Sequence, residues 1–500
     1  MKHAPCIILA LGLTLATAGA QSSELRTFTN TQGKAIQAKL VGTVGDQVTI
    51  EMAGGQRFTL GIGTLSAADQ AYIKQAAASS PAPGTVNPSP PVAGGFKPKP
   101  GPNDKLDPAI VNEVVGLPLF AEAMLWQTKA DEVAGKLELK KESETKTSSS
   151  FRSYPKDTFR MFGARPYSVA LYAADGLTTN LSLVFANKGD LFGMDGENNN
   201  RVDRNTPKAQ ALAILEKAMK ADVAAISTKL SEKLGEPVKQ RFGDGEARDT
   251  MLRWDWRGHS ILLREQEGEY VGVELVTTEV ADAGGKVKMT GDKIIRDRAL
   301  ANVEKRTNGD VVINEIPMVD QGPKGYCVPA TAERAMRYLS VPADMYVLAM
   351  AGETNIGGGT SVQMLLDGVR MDIRRKGRSF DSWQSEFKLK DLQKYIDKGV
   401  PVIWGLYSTD AFNDLANKRT KDRQGMTDVT AWKAKLAETN GTATLRKEKD
   451  QGHVVLIIGY NKETNEIAFS DSWGERYKER WITIPEAEMI SQQEYWVVGF

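Results

Sequence analysis

Between Arg26 and Leu65 apolar and polar residues alternate, as in Ile36-Ala38-Leu40, Val48-Ile50 and Phe58-Leu60, with breaks at Gly33, Gly45-Asp46 and Gly54-Gly55. Period-two alternation between turn residues predicts short, half-buried strands in a small, strongly bent sheet. A short helix is expected next, with Ser66 as N-cap and Asp69 three residues on. Residues 77–107 are rich in Pro, Gly and Ser without periodicity, which predicts an extended tether and a domain boundary. In residues 108–300 the period switches twice from helix to strand. Glu122–Leu137 precedes SVALYAA and NLSLVFAN around Asp175-Gly176, and Ala209–Leu234 precedes MLRWDWRG, HSILLREQ and YVGVELVTT. Helix then paired strands, twice over, predicts a tandem α/β repeat. In residues 305–500, Ala332, Ala335, Met336 and Leu339 recur at i, i+3, i+4 and i+7, one buried helical face. Further helical stretches follow, then the apolar strands VPVIWGLY, HVVLIIGY, EIAFSD, RWITI and EYWVVGF. That order is α+β. A charged insertion, Ser408–Gln451, interrupts it and is expected to be either a solvated decoration or a lid over a site.

Composition narrows the class. A chain of 500 residues exceeds what one core supports, so the pattern describes a multidomain α+β protein. Formal net charge is +1 with no basic block, which argues against a nucleic-acid partner. Residues 1–20 carry a polar start, an apolar core from Cys6 to Ala16 and a small-residue site, Ala18-Gly19-Ala20, which predicts a secretory signal. No later stretch approaches the roughly 18 apolar residues of a membrane span, so an exported protein, periplasmic or extracellular, with no membrane span is expected. Of two cysteines, Cys6 leaves with the signal and Cys327 remains alone; of three histidines, His259 and His453 remain. A lone thiol in an oxidising compartment is a liability unless it is used. No cofactor or metal is expected. Gly357-Gly358-Gly359 lacks the Lys-Ser/Thr of a phosphate loop, and the acidic run Gly193–Asp203 does not have the spacing of an EF-hand.

Cys327 follows the Gly/Pro-rich run QGPKGY and opens the predicted helix. Unpaired N–H groups and the macrodipole at a helix start favour an anion, so a thiol there ionises more readily. The competing reading is a small buried residue packing a helix start. His453 begins the strand VVLII, and Asp471 ends the next strand, across a connection short enough for a hairpin. The pair therefore has the means to form a base and its orienting acid. Gln321, six residues before Cys327, carries an amide able to join the Cys327 backbone N–H around an oxyanion. His259, at a predicted hairpin turn beside Ile261-Leu262-Leu263, reads as structural.

These segments resemble papain-like cysteine peptidases: QGPKGYC the glutamine-to-nucleophile run, HVVLIIGY the histidine strand and SDSWG the segment of the third catalytic residue. Val328-Pro329-Ala330 after the cysteine, an aspartate as third member and the phrase YIDKGVPVIWGL are similar to the bacteriocin-leader-processing branch of that clan. The resemblance implies a papain-like domain over 305–500 that hydrolyses a peptide or protein substrate through an acyl-enzyme. In it Cys327 attacks, His453 acts as base and then acid, Asp471 orients it and Gln321 stabilises the oxyanion. It also implies that Gly358 and Gly359 border the substrate cleft, with Trp473 packed beside His453 and shielding the His–Asp bond. The leader-processing enzymes are fused to membrane transporters; no such spans are found here, so their leader substrate does not carry over. Residues 21–76 resemble the SLA-homology domain, an SH3-like β-barrel of endocytic adaptors, through Arg26-x-Phe28, Gly33-x-x-Ile36-x-Ala38 and Leu65-Ser66-x-x-Asp69-x-x-Tyr72-Ile73, which implies a protein partner for that module. Two other functions compete: an envelope adaptor whose peptidase-like domain is a scaffold, and a transglutaminase-like acyl transferase using the same Cys-His-Asp order.

Overall fold

A computed structural model describes residues 25–44, 47–52, 57–78, 101–191, 206–243, 248–286, 290–354, 359–439 and 441–500. The predicted signal, most of the tether, the acidic run 193–203, and Gly357 and Gly358 lie outside the described residues. The chain divides into two compact units, 1–87 and 88–500.

In the first unit the alternating segments become β1 (Arg26–Thr29), β2 (Ala35–Val44), β3 (Gln47–Met52) and β4 (Arg57–Gly61), an antiparallel meander in the order β1-β2-β3-β4. Phe28, Ala38, Leu40, Val48 and Ile50 share its inward face with Leu65 and Ile73. The helix Ala67–Ala78 opens as its sequence requires: Ser66 Oγ accepts from the Asp69 N–H at 3.2 Å and donates to the Asp69 carboxylate at 2.7 Å.

The second unit contains both the middle and the C-terminal regions. The expected tether is shorter than its composition suggests, because residues 103–106 are already packed. Asn103 donates to the carbonyls of Leu234 and Asp255, and Asp104 accepts from the Arg257 N–H. The middle region is one eight-stranded antiparallel sheet of β5 (Lys140–Glu144), β6 (Ser148–Ser153), β7 (Ser168–Ala174), β8 (Leu177–Asn187), β9 (Val238–Phe242), β10 (Asp249–Trp256), β11 (His259–Gln266) and β12 (Tyr270–Thr277). Its order, β5-β6-β7-β8-β12-β11-β10-β9, is two four-stranded meanders joined through their last strands. The helix Lys208–Leu234 buries Leu215, Met219, Ile226 and Leu230 in the core beneath this sheet. The predicted helix over 122–137 forms only from Ala130 to Lys136. Tertiary bonds claim its first half instead. The Leu125 N–H donates to His259 Nε2, and Trp126 Nε1 donates to the Gly258 carbonyl, both at 3.1 Å.

That contact also fixes the state of His259. Its Nε2 accepts from Leu125 and its Nδ1 faces the Trp256 carbonyl at 3.1 Å, so Nδ1 carries the single proton. Boxed by Phe120, Trp126 and Trp256, the ring is neutral, and burial lowers its pKa to about 4. It is a structural histidine.

The C-terminal region does not run helices first and strands afterwards as expected: two strands precede the Cys327 helix and a third lies between later helices, all in an antiparallel sheet. Its strands are β13 (Val303–Lys305), β14 (Asp310–Ile313), β15 (Ser379–Gln384), β16 (Val402–Tyr407), β17 (Gly452–Asn461), β18 (Glu466–Ser470), β19 (Arg480–Thr483) and β20 (Ser491–Gly499). They lie in the order β13-β14-β17-β16-β20-β15, with β18 on β17 and β19 on β18. Ala332, Ala335, Met336 and Leu339 do enter the C-terminal core. The Cys327–Tyr338 helix is nevertheless buried almost all round, because Ala330 and its N-cap Tyr326 pack into a second cluster with Val184 and Tyr270 of the middle sheet.

The insertion 408–451 is not a solvated decoration throughout: residues 446–451 are exposed, with Lys449 and Asp450 bordering the cleft that Cys327 faces, but its first helix is fixed in place. Its helix Asp410–Arg423 is bolted down by buried ion pairs: Arg419 to Glu486 at 2.6 Å, and Arg423 to Asp310 at 2.6 Å and Glu466 at 3.0 Å. Residues of high charge are expected outside, and these are inside because each guanidinium meets a carboxylate from the sheet or from the helix after it.

Candidate active site

Three elements converge. The helix Cys327–Tyr338 presents Cys327 in its first turn, β17 presents His453 at its second position, and the residue after β18 is Asp471. The register of the β17–β18 pair, with Leu456 opposite Ser470, brings the imidazole beside the carboxylate, and His453 Nε2 donates to Asp471 Oδ1 at 2.8 Å. With Nε2 so engaged, Nδ1 is the nitrogen available to Cys327, and the thiol and the imidazole each shift the other toward its charged form. The helix is tied to the histidine strand by Thr331 Oγ1 donating to the Val454 carbonyl at 3.1 Å. It is tied to the acid segment by Arg334, which donates to the Ser470 carbonyl and the Ser472 hydroxyl on either side of Asp471.

The electrostatics follow. Burial pushes the Cys327 thiol up, but the hydrogen bond and charge of His453, with the Val454 and Val328 backbone groups, outweigh it and the net displacement is down. Burial likewise disfavours the imidazolium, yet the hydrogen bonds to Asp471 and Cys327 raise the pKa of His453 to about 9. Asp471, fully buried, is pushed up by desolvation and brought down further by His453 and by Arg480. Both shifts favour the same state, a thiolate beside an imidazolium.

Arg480 carries no sequence signal of its own. A charged residue in the strand RWIT reads as solvent-facing, yet it is 1% exposed and donates to Asp471 Oδ2 at 2.6 Å. Its other donors reach the Asn413 carbonyl at 3.1 Å on the insertion helix, and its guanidinium lies 5.0 Å from the Phe469 ring centre. Asp471 is therefore held from two sides, by the base it orients and by a cation buried in an aromatic pocket.

The remaining sequence candidates divide. Trp473 stacks on His453, ring centres 4.6 Å apart and planes at 26°. Gln321 pairs its backbone N–H with the Ser472 carbonyl at 2.9 Å, and its side-chain Nε2 donates to the Lys324 carbonyl at 3.0 Å. Its Oε1 is buried without a partner. Cys327 and His453 face a cleft of about 760 Å3, and Gly359 lies on its wall. Gly358 lies outside the described residues, and neither Gln321 nor Trp473 lines the cleft. Sequence reasoning missed most of the wall: Gln363, Gln384, Gln492, Glu494, Trp383 and Trp496. These come from the start of one helix and from two neighbouring strands, β15 and β20, and no spacing in the chain links them. No group of acidic, histidine or cysteine side chains suited to a metal ion occurs among the described residues.

Residues 313–498, the segment that carries all of these groups, match the model of the Peptidase_C39 like family. Two solved structures are similar over part of the chain. One is the peptidase domain of Streptococcus ComA, a bi-functional ABC transporter of a quorum-sensing pathway, at 13% identity and a TM-score of 0.24, covering 36% of this chain and 96% of that one. The other is a double-glycine-motif protease from an AMS/PCAT transporter in complex with its leader peptide, at 12% identity and a TM-score of 0.23, covering 37% and 91%. Likeness at that level speaks to neither activity nor substrate. No curated protein matches the chain.

Proposed function

We propose that this chain is an exported thiol peptidase that cleaves peptide bonds through an acyl-enzyme on Cys327. One observation carries the reading: a buried line of Cys327, His453 and Asp471 opening on a cleft large enough for a peptide segment. The family match over residues 313–498 supports it. In this reading the Cys327 thiolate attacks the carbonyl carbon, and the imidazolium of His453 gives its proton to the leaving amine. The neutral imidazole then takes a proton from the water that releases the acyl group. Asp471 keeps the ring oriented throughout, and the Cys327 N–H serves the oxyanion; Gln321, whose Nε2 already donates one N–H to the Lys324 carbonyl behind the cleft wall, joins it through its second N–H.

Export through residues 1–20, an SH3-like peptide-binding role for the first unit and descent of the middle sheet from a duplicated half belong to the same proposal. The two-meander sheet order supports the last of these. Acyl transfer to an amine would use the same acyl-enzyme and is the competing reading.

Incubation with an epoxide probe at neutral pH, followed by mass spectrometry, is expected to label Cys327 in the native chain and not in Cys327→Ala. Casein with a dansylated amine donor separates the two chemistries: fragments without dansyl incorporation support hydrolysis, and incorporation without fragments supports transfer. A thiol that labels only above pH 9 would end the reading.

A further inference from the structure

The loop from Asp320 to Tyr326 is gripped by the middle region at every second residue. The Asp320 N–H donates to Glu142 at 2.8 Å, and the Asp320 carbonyl accepts from the Tyr154 hydroxyl. Gly322, at φ +65°, lies flat on the Tyr154 ring, where a Cβ would stand 2.5 Å from the ring carbons. Lys324, whose side chain has no exposure, pairs with Asp190 at 3.2 Å, its ammonium 4.1 Å above the Tyr154 ring. Tyr326 rests on Gly189, where a Cβ would again come within 2.5 Å. The odd-numbered residues at the ends of this run turn the other way, Gln321 to Ser472 and Cys327 to the cleft. The run is bent, with Gly322 at positive φ and the Tyr326 N–H bonded back to the Lys324 carbonyl, so the contacts of Asp320, Gly322, Lys324 and Tyr326 with the middle region fix the path by which it reaches Cys327.

Lys324 links the two faces directly. Its ammonium belongs to the Asp190 pair, while its carbonyl accepts from Gln321 Nε2 at 3.0 Å and from the Tyr326 N–H at 2.8 Å. Asp190, on the short helix Lys188–Leu191 after β8, therefore reaches the Gln321 carboxamide through one residue. A surface loop on a peptidase of this kind would be free to vary; this one is built into a buried interface.

We propose that the middle region is a fixed clamp for the Gln321–Cys327 loop, with Asp190, Lys324 and Tyr154 as positioning residues that aim the oxyanion donors. The proposal rests on the peptidase reading above. None of the three touches the substrate. Their effect belongs to the step in which negative charge forms on the carbonyl oxygen, and not to the ionisation of Cys327, which His453 and Asp471 govern.

Two probes on the full-length chain distinguish those effects. Iodoacetamide alkylation needs the thiolate and no oxyanion donor. A peptide aldehyde forms a tetrahedral adduct whose oxyanion does need the donors. In Asp190→Asn, Lys324→Gln and the milder Tyr154→Phe, the alkylation rate is expected to stay within about twofold of the native chain. Turnover number and aldehyde affinity should fall by about tenfold or more with little change in KM, the pattern of a misaimed oxyanion hole. The double variant Asp190→Asn with Lys324→Gln, which restores a neutral hydrogen-bonded pair, is expected to recover most of that loss. Turnover and aldehyde affinity within twofold in the single variants would overturn the clamp, as would equal losses in alkylation and turnover. Should Asp190→Asn not fold, Tyr154→Phe alone decides, since it removes one hydroxyl. A native chain that neither alkylates at neutral pH nor cleaves peptides fails at an earlier point, and the peptidase reading falls with the clamp.

Discussion

At the scale of single residues the decisive balance is between desolvation and paired charge. Cys327, His453 and Asp471 are all buried, which by itself would neutralise each of them, and mutual hydrogen bonds reverse the outcome in all three. The pH dependence of Cys327 alkylation should therefore begin below the ordinary thiol range and change again near pH 9, where His453 loses its proton. His453→Ala should erase the low-pH reactivity, leaving a thiol that alkylates only in its ordinary range. Arg480 tests the second hold on Asp471. Arg480→Gln removes a cation from Asp471, leaves a more basic carboxylate facing the imidazolium, and should move the upper change in the profile above about 9. Asp471→Asn removes the carboxylate itself and should move that change below about 9. His259 behaves in the opposite sense. Its folded pKa of about 4 lies below the ordinary value of 6.5, so the unfolded chain binds the extra proton. Stability is then fully present above pH 6.5 and falls as pH drops toward 4, by roughly 3 kcal/mol for this one group. Urea titrations of the native chain at pH 7 and pH 5 measure the slope. His259→Phe should flatten it.

At the scale of elements, charge that reads as solvated has been turned inward. The insertion helix looks from its sequence like a surface helix, and the buried pairs of Arg419 and Arg423 make it part of the wall behind Asp471. Breaking a buried pair from one side leaves carboxylates uncompensated. Arg423→Met should cost about 3–5 kcal/mol by chemical denaturation, more than Arg423→Met combined with Asp310→Asn and Glu466→Gln. Equal losses in the two would show that the arginine acts by packing alone. The same inversion explains the strands that the sequence concealed. β5 and β6 read as KKESE and SSSFRS, too polar for a strand signal, yet Glu142, Ser150 and Arg152 are buried because they bond to one another and to the Asp320 loop. By contrast β7, β8, β11, β16 and β17 were plain from their apolar runs, and the Asp175-Gly176 turn from its residue types, both now at positive φ.

At the scale of the whole molecule, the middle and C-terminal regions share one compact unit, and the first 87 residues form another with its own small core. Calorimetry of the intact chain should show the first module melting separately, and a chain beginning at Gly101 should keep the main transition and Cys327 reactivity unchanged. Loss of either on truncation would mean that the first unit is part of the catalytic body. A boundary at 300–305, natural from pattern, is not a boundary in packing. Tyr326 and Ala330 share a cluster with Val184 and Tyr270, so the nucleophile helix has its second face in the middle region.

The sequence by itself determined the apolar strands, the helix start at Cys327, and the hairpin that joins His453 to Asp471, because these rest on local periodicity, capping and short connections. It also named the four residues of the proposed chemistry, since so few thiols and imidazoles were available to choose from. Only the tertiary structure decided that Arg480 backs Asp471, that the charged helix Asp410–Arg423 is core, and that the loop before Cys327 is held by the middle region. Those outcomes depend on buried charges meeting partners far along the chain, and a buried charge looks the same in a sequence as a solvated one.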